Sequence, residues 1–161
     1  MRAGDILLVR GNGLASKLIK AITHSEYSHV ALAISDTDII EIDVFKKVSI
    51  HPNSYLDYDL VHVYNLTDTQ RDSVIAYALA QLDLQYDYIQ LMGLLIEILF
   101  HARSYLNSKN RLICSELIDL AFLSQGVDLV PWKDPGNVTP EDIAESPIVI
   151  RSTRSHRSYW R

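Results

Sequence analysis

The sequence predicts an α+β domain in which a largely antiparallel central sheet packs against helices. Two observations lead there. Short apolar runs with a period of two crowd the first half, HVALAI at 29–34 and IIEIDVF at 39–45 among them. Longer stretches with helical spacing dominate from Thr67 onward, and a last strand-like run follows at 148–152. Strands and helices that segregate in this way mark α+β architecture, not the alternating βαβ of a parallel sheet. The 161 residues suit one domain with a sizeable core, and 48% apolar with 22% charged residues is the balance of a globular protein.

AGDILLV at 3–9 reads as a buried strand after a Gly-Asp turn signal, and GNG at 11–13 as a turn. LASKLIKAIT at 14–23 sets Leu14, Leu18, Ile19 and Ile22 on one helical face. HSEYS is a polar loop. HVALAI then puts His29, Ala31 and Ala33 on one side and Val30, Leu32 and Ile34 on the other. DTD at 36–38 turns the chain into IIEIDVF, with Glu41, Asp43 and Phe45 sharing a side. VSI and LVHVYNL are two further strands around a loop, HPNSYLDYD, at 51–59.

Thr67 or Asp68 caps an amphipathic helix, DTQRDSVIAYALAQL. A second helix is expected over YDYIQLMGLLIEILFHA, and NSKN at 107–110 is a loop. A third helix, CSELIDLAFLSQG, ends at Gly126, the residue that best tolerates a left-handed cap. A Pro- and Gly-rich loop leads to a short helical turn at Thr139, Pro140 and Glu141, and IVIRS closes the sheet. The domain is expected over 1–150, with a basic tail at 151–161.

The longest apolar run, LMGLLIEILF at 91–100, has 10 residues and is interrupted by Glu97. A transmembrane helix needs about 20, so this is read as a buried or interfacial helix. One cysteine precludes an internal disulfide, and no secretory signal is read at the N-terminus. A cytoplasmic or phage-associated location is therefore expected. The net charge of −5 conceals an asymmetry. Four of the 15 basic residues, Arg151, Arg154, Arg157 and Arg161, lie in the tail, leaving 11 against 20 acids elsewhere. So acidic a body argues against nucleic-acid binding. The tail suits contact with an anionic surface, or is simply a solvated or docked end.

The single cysteine, Cys114, opens the third helix. A core cysteine is one account of it. The other is a nucleophile, since a helix N-terminus and a nearby histidine both favour the thiolate. Among six histidines only His29 and His62 fall in expected strands. His62, flanked by Val61 and Val63, reads as solvent-facing, whereas His29 has small neighbours, Ala31 and Ala33, on its own face. Glu41 or Asp43 would orient the imidazole. A hairpin centred on Thr37 sets His29 opposite Phe45 and leaves Glu41 about four positions along the ladder, so this count favours Asp43. There is no HExxH motif, no paired cysteine and no phosphate loop, and neither a metal nor a cofactor is expected.

The ordered set GDILLV, SKLIKAIT, YSHVALAI, IIEID, YDY, ICSELI and TPEDIAESP resembles the circularly permuted papain-like cysteine hydrolases, the YiiX-like relatives of the NlpC-type cell-wall peptidases. The resemblance spans roughly residues 3–150, and SHVALAI and ICSELI are its most specific pieces. It implies a sheet packed on the cysteine helix, with Cys114 as nucleophile, His29 as general base and acid, and Glu41, in place of Asp43, as the orienting group. It implies a cysteine peptidase or amidase acting on short peptides such as cell-wall stem peptides, through a thioacyl-enzyme. Tyr27 or Ser28 is the expected second oxyanion donor, and Tyr86, with Asp87 and Tyr88, the YDY element near the cleft. The greasy 91–100 segment leaves open a lipid-directed thioesterase or acyltransferase, and a non-catalytic binding or virion module is the third reading.

Overall fold

A computed structural model describes residues 1–43, 46–86, 111–134 and 137–156. The elements are β1 (Ile6–Val9), α1 (Leu14–Thr23), β2 (His29–Ala33), β3 (Asp38–Glu41), β4 (Ser49–Pro52), β5 (Asp57–Val63), α2 (Asp68–Ala80), β6 (Gln85–Tyr86), β7 (Arg111–Leu112), α3 (Cys114–Leu123), α4 (Pro140–Ala144) and β8 (Val149–His156). Six strands form an antiparallel sheet in the order β4-β3-β2-β1-β5-β8. The short β6 and β7 pair in parallel apart from it. The domain is α+β, as its pattern of runs predicts.

Alternation along the strands builds two apolar layers. Ile6, Leu8, Val30, Leu32, Ile40, Ile42, Val61 and Val63 face α2 and α3, meeting Val74, Ala78, Leu117, Ile118, Ala121 and Phe122. On the reverse face a smaller cluster joins Leu7, Val9, Ala31, Ala33 and Ile39, covered by Met1, Tyr55, Tyr58 and Leu60. Each fully buried aliphatic side chain contributes roughly 1.5–3 kcal/mol of transfer free energy, so the helix-covered layer holds the sheet and the cysteine helix together.

Capping sets the helix starts. The Thr67 hydroxyl accepts from the Gln70 N–H while the Gln70 side chain accepts from the Thr67 N–H. Thr139 and Asp142 repeat this reciprocal pattern at α4, with Pro140 in the first turn.

Three boundaries differ from the sequence expectation. β4 runs to Pro52 and β5 begins at Asp57, so much of the expected loop 51–59 is strand. Ile50 is exposed on β4, an edge strand, and an edge strand need not show the apolar pattern that marks a core one. β8 extends to His156, pairing Tyr58 with Ser155 and Asp57 with His156. Residues 151–156 of the expected tail thus lie in the sheet, their Arg, Ser and Thr side chains masking a strand whose backbone bonds hold it. Tyr86 lies in β6 and does not begin a helix. The rest of the expected second helix, including Asp87, Tyr88 and the 91–100 run, lies outside the described residues, as do 157–161. Among the described residues no helix is long and apolar enough to cross a membrane.

Candidate active site

His29 opens β2 and Glu41 closes β3, the two arms of one hairpin. Leu32 pairs with Ile40 and Ala33 with Ile39, which centres the hairpin on Asp36, one residue before the expected Thr37. The Ser35 hydroxyl accepts from the N–H groups of Thr37 and Asp38 and tightens the turn. Extending that register sets Ala31 opposite Glu41. The carboxylate is then two positions from His29 on the same face, a diagonal neighbour within reach of a long side chain. Ala31 leaves the space between them open. Glu41 Oε2 lies 2.7 Å from His29 Nε2. The hairpin count that favoured Asp43 assumed that the ladder runs on past Glu41; the strand ends there, and Asp43 instead pairs with Lys46 at 2.9 Å.

Glu41 is 3% exposed and receives two further donors. His51 Nε2 stands 2.8 Å from Oε1. The Tyr55 hydroxyl donates to both oxygens, at 3.0 and 2.8 Å. The Tyr55 ring also packs against the His29 ring at a centroid separation of 5.9 Å. Neither His51 nor Tyr55 stands out in the sequence, because both fall in a stretch that reads as a polar loop. Period-two pairing of His51 with Ile39 across the β3–β4 ladder was the signal available.

Cys114 is the first residue of α3. Three contacts fix that end of the helix. The Ser115 hydroxyl donates to the Val138 carbonyl, the Ile113 N–H meets Glu116 Oε2 at 3.4 Å, and the Leu117 N–H donates to the Ile113 carbonyl. α3 packs on the sheet through Leu117, Ile118, Ala121 and Phe122, and this brings Cys114, 8% exposed, against the imidazole. Glu41 holds Nε2, which leaves Nδ1 of His29 for the thiol.

The electrostatics follow from this arrangement. Burial disfavours the charged form of His29. Coulombic and hydrogen-bond contact with Cys114, then with Glu41, outweighs it and raises the imidazole to about 10. Burial likewise opposes ionisation of Glu41, but His29, Tyr55 and His51 together lower it to about 2. Tyr55 is raised by burial and by Glu41, which keeps its phenol protonated and donating. The result is a buried chain, thiol to imidazole to carboxylate, that keeps His29 cationic and oriented.

Tyr27 and Ser28, the expected second oxyanion donors, have other partners for their N–H groups. The Tyr27 N–H donates to Ser25 Oγ and the Ser28 N–H to the Val9 carbonyl. The Tyr27 hydroxyl donates to Asp59 Oδ2 at 2.6 Å and accepts from Arg10 and Arg151. Each of these groups is thus already bonded within the fold. The side chain of Tyr86 lies outside the described residues. His62, half-buried, sits on β5 away from this cluster. Among the described residues no three His, Cys, Asp or Glu side chains converge as metal ligands.

No family profile and no curated protein matches the chain. In three dimensions it is similar to the solved structure of the metalloprotein YiiX from Escherichia coli O157:H7. The TM-score is 0.62 at 17% identity, over 96% of this chain and 98% of that one. The likeness is one of fold.

Proposed function

We propose that the chain is a thiol hydrolase that cleaves an amide bond, with short peptides such as cell-wall stem peptides as the substrate class. One observation carries the reading. A single imidazole interacts with the only thiol while its Nε2 meets a buried carboxylate, which leaves Nδ1 for the sulfur.

The Cys114 thiolate attacks the carbonyl carbon, forming a carbon–sulfur bond and a tetrahedral oxyanion. The N–H of Cys114, in the first turn of α3 where no intrahelical acceptor exists, faces that oxyanion. His29 gives its proton to the leaving nitrogen as the carbon–nitrogen bond breaks, which leaves a thioester. It then takes a proton from water, hydroxide adds to the thioester, and the carbon–sulfur bond breaks, which releases the acid and restores the Cys114 thiolate beside the protonated imidazole. Glu41 stays ionised throughout; its low pKa bars it from taking the proton, so it orients the ring and balances its charge.

The structural neighbour is called a metalloprotein, but the residues here do not suit a resident metal. The nitrogens of His29 and His51 are each taken up by an oxygen of Glu41, and among the described residues no three potential ligands come together. No step is assigned to one.

Because Cys114 is the only cysteine, labelling reports on this site alone. Peptide amide hydrolysis is expected to vanish in Cys114→Ala, and the wild-type protein to take up one equivalent of iodoacetamide faster than a simple thiol in the acid range. Turnover by Cys114→Ala at the wild-type rate would refute the proposal.

A further inference from the structure

Glu41 offers two oxygens, and the thiol–imidazole–carboxylate chain uses one of them. The other lies 2.8 Å from Nε2 of His51. His51 sits on the edge strand β4, with its side chain 35% exposed and within reach of solvent protons. Its second ring nitrogen, Nδ1, is 3.1 Å from the Pro52 carbonyl oxygen.

A carbonyl oxygen and an ionised carboxylate can only accept. Both ring nitrogens of His51 therefore face acceptors. Both bonds form together only when both nitrogens carry hydrogen, in the imidazolium. The neutral ring makes one of the two.

We propose that His51 is a proton-dependent positioning residue, a fourth member of the Cys114–His29–Glu41 chain that, beside Tyr55, ties the oxygen of Glu41 turned away from His29 to Pro52 and acts on the thiol through the carboxylate. This rests on the thiol-hydrolase reading above.

The groups around it are few. Glu41 faces it from β3, and the Tyr55 phenol shares that carboxylate from the loop after β4. Asp38 of β3 lies opposite Pro52, but its carboxylate accepts from Ser35 and Thr37. His29 of β2 is linked to His51 through Glu41. His51 thus shares one anionic charge with His29. When it holds both protons it fixes the carboxylate but draws on its charge; when it loses one, the bridge to Pro52 or to Glu41 opens. The reactivity of the thiol should register that change.

The test is the second-order rate of iodoacetamide alkylation of Cys114 against pH, for the full chain and for His51→Gln and His51→Ala. The wild-type profile should show a step in addition to that of His29. Gln keeps an N–H donor but cannot titrate, so the step should disappear in His51→Gln. His51→Ala should slow alkylation at pH 6 by roughly tenfold, the value of one hydrogen bond to a charged group, and Gln should recover part of that rate. If His51→Ala fails to fold, the His51→Gln profile decides alone. A step that persists in His51→Gln, or two variant profiles that superimpose on the wild type, would overturn the clamp. A wild-type thiol no faster than a simple one in the acid range would instead overturn the hydrolase reading on which it stands.

Discussion

Two buried carboxylates of this molecule are built alike and behave differently. Glu41 on β3 is held by two histidines and a tyrosine hydroxyl. Asp59 on β5 is held by two arginines and a tyrosine hydroxyl. Arg10 bonds it at 3.0 and 2.6 Å, Arg151 approaches at 3.1 Å, and Tyr27 donates at 2.6 Å. Arg10 also stacks over the Tyr27 ring at 4.7 Å. The difference lies in the cations. A guanidinium does not release its proton in a protein, whereas an imidazole does so readily. The same geometry is therefore a fixed clamp at Asp59 and a proton-handling device at Glu41. The Asp59 clamp anchors Tyr27, two residues before His29, so the rigid cluster positions the labile one.

The comparison can be tested by exchanging charge for shape at each site. The largest effect is expected from Glu41→Gln. It keeps the shape and removes the anion, and hydrolysis should fall by about 10³–10⁴-fold, as in other sites where the orienting carboxylate is neutralised. Circular dichroism should report an unchanged fold. A Glu41→Gln protein of wild-type activity would place Glu41 in the structural class with Asp59.

Asp59→Ala comes next and should act on stability. It strands two guanidinium groups, one of them buried, and breaking such a pair costs about 3–5 kcal/mol. Urea denaturation measures this, and a loss below about 1 kcal/mol would show that the cluster is not a clamp.

The third test is the pH dependence of thermal stability. Glu41, lowered to about 2, contributes stability that is present above its unfolded value of about 4.3 and lost as pH falls through about 2. Asp59, lowered by Arg10, Tyr27 and Arg151 against its burial, acts in the same direction. His29, raised to about 10, contributes stability that is complete below about 6.5 and lost as pH rises through about 10. Both carboxylates therefore yield on the acid limb; between about 6.5 and 10 only the Glu41 site yields on the alkaline one, and Tyr27 of the Asp59 cluster, raised to about 12, follows above that. Calorimetry of His29→Gln should flatten the alkaline limb and leave the acid limb sloping; an unchanged alkaline limb would remove His29 as its source.

The smallest effect is expected from Arg151→Met. Its side chain is 54% exposed, so solvent screens its share of the Asp59 cluster, and the loss should stay below about 1 kcal/mol. A larger loss by urea denaturation would mean that β8 is held more by this ion pair than by its backbone ladder.

The sequence made one cluster far more legible than the other. His29 and Cys114 sit in runs whose periodicity and motif can be read directly, Glu41 is preferred to Asp43 only through the family resemblance, and the strands and capped helices around them follow from alternation, Thr67 and Gly126. The register of the β2–β3 hairpin could not be read, because Ser35 tightens the turn through its side chain and no composition rule reports that. His51 and Tyr55 were hidden by proline, asparagine and serine neighbours that spell a loop. Asp59 looked like part of that loop and Arg151 like part of a solvated tail. Their pairing is a long-range event between β5 and β8, and local patterns carry no trace of it.

The hairpin that joins His29 to Glu41 spans 12 residues, while Cys114 arrives 85 residues after His29. The acid–base pair is thus a local contact, within reach of a short chain segment still leaving the ribosome. The nucleophile is brought in by a long-range docking that must close a large loop against chain entropy. The newborn polypeptide therefore holds its imidazole–carboxylate pair well before its sulfur, and the proposed nucleophile joins them only after most of the core has been laid down.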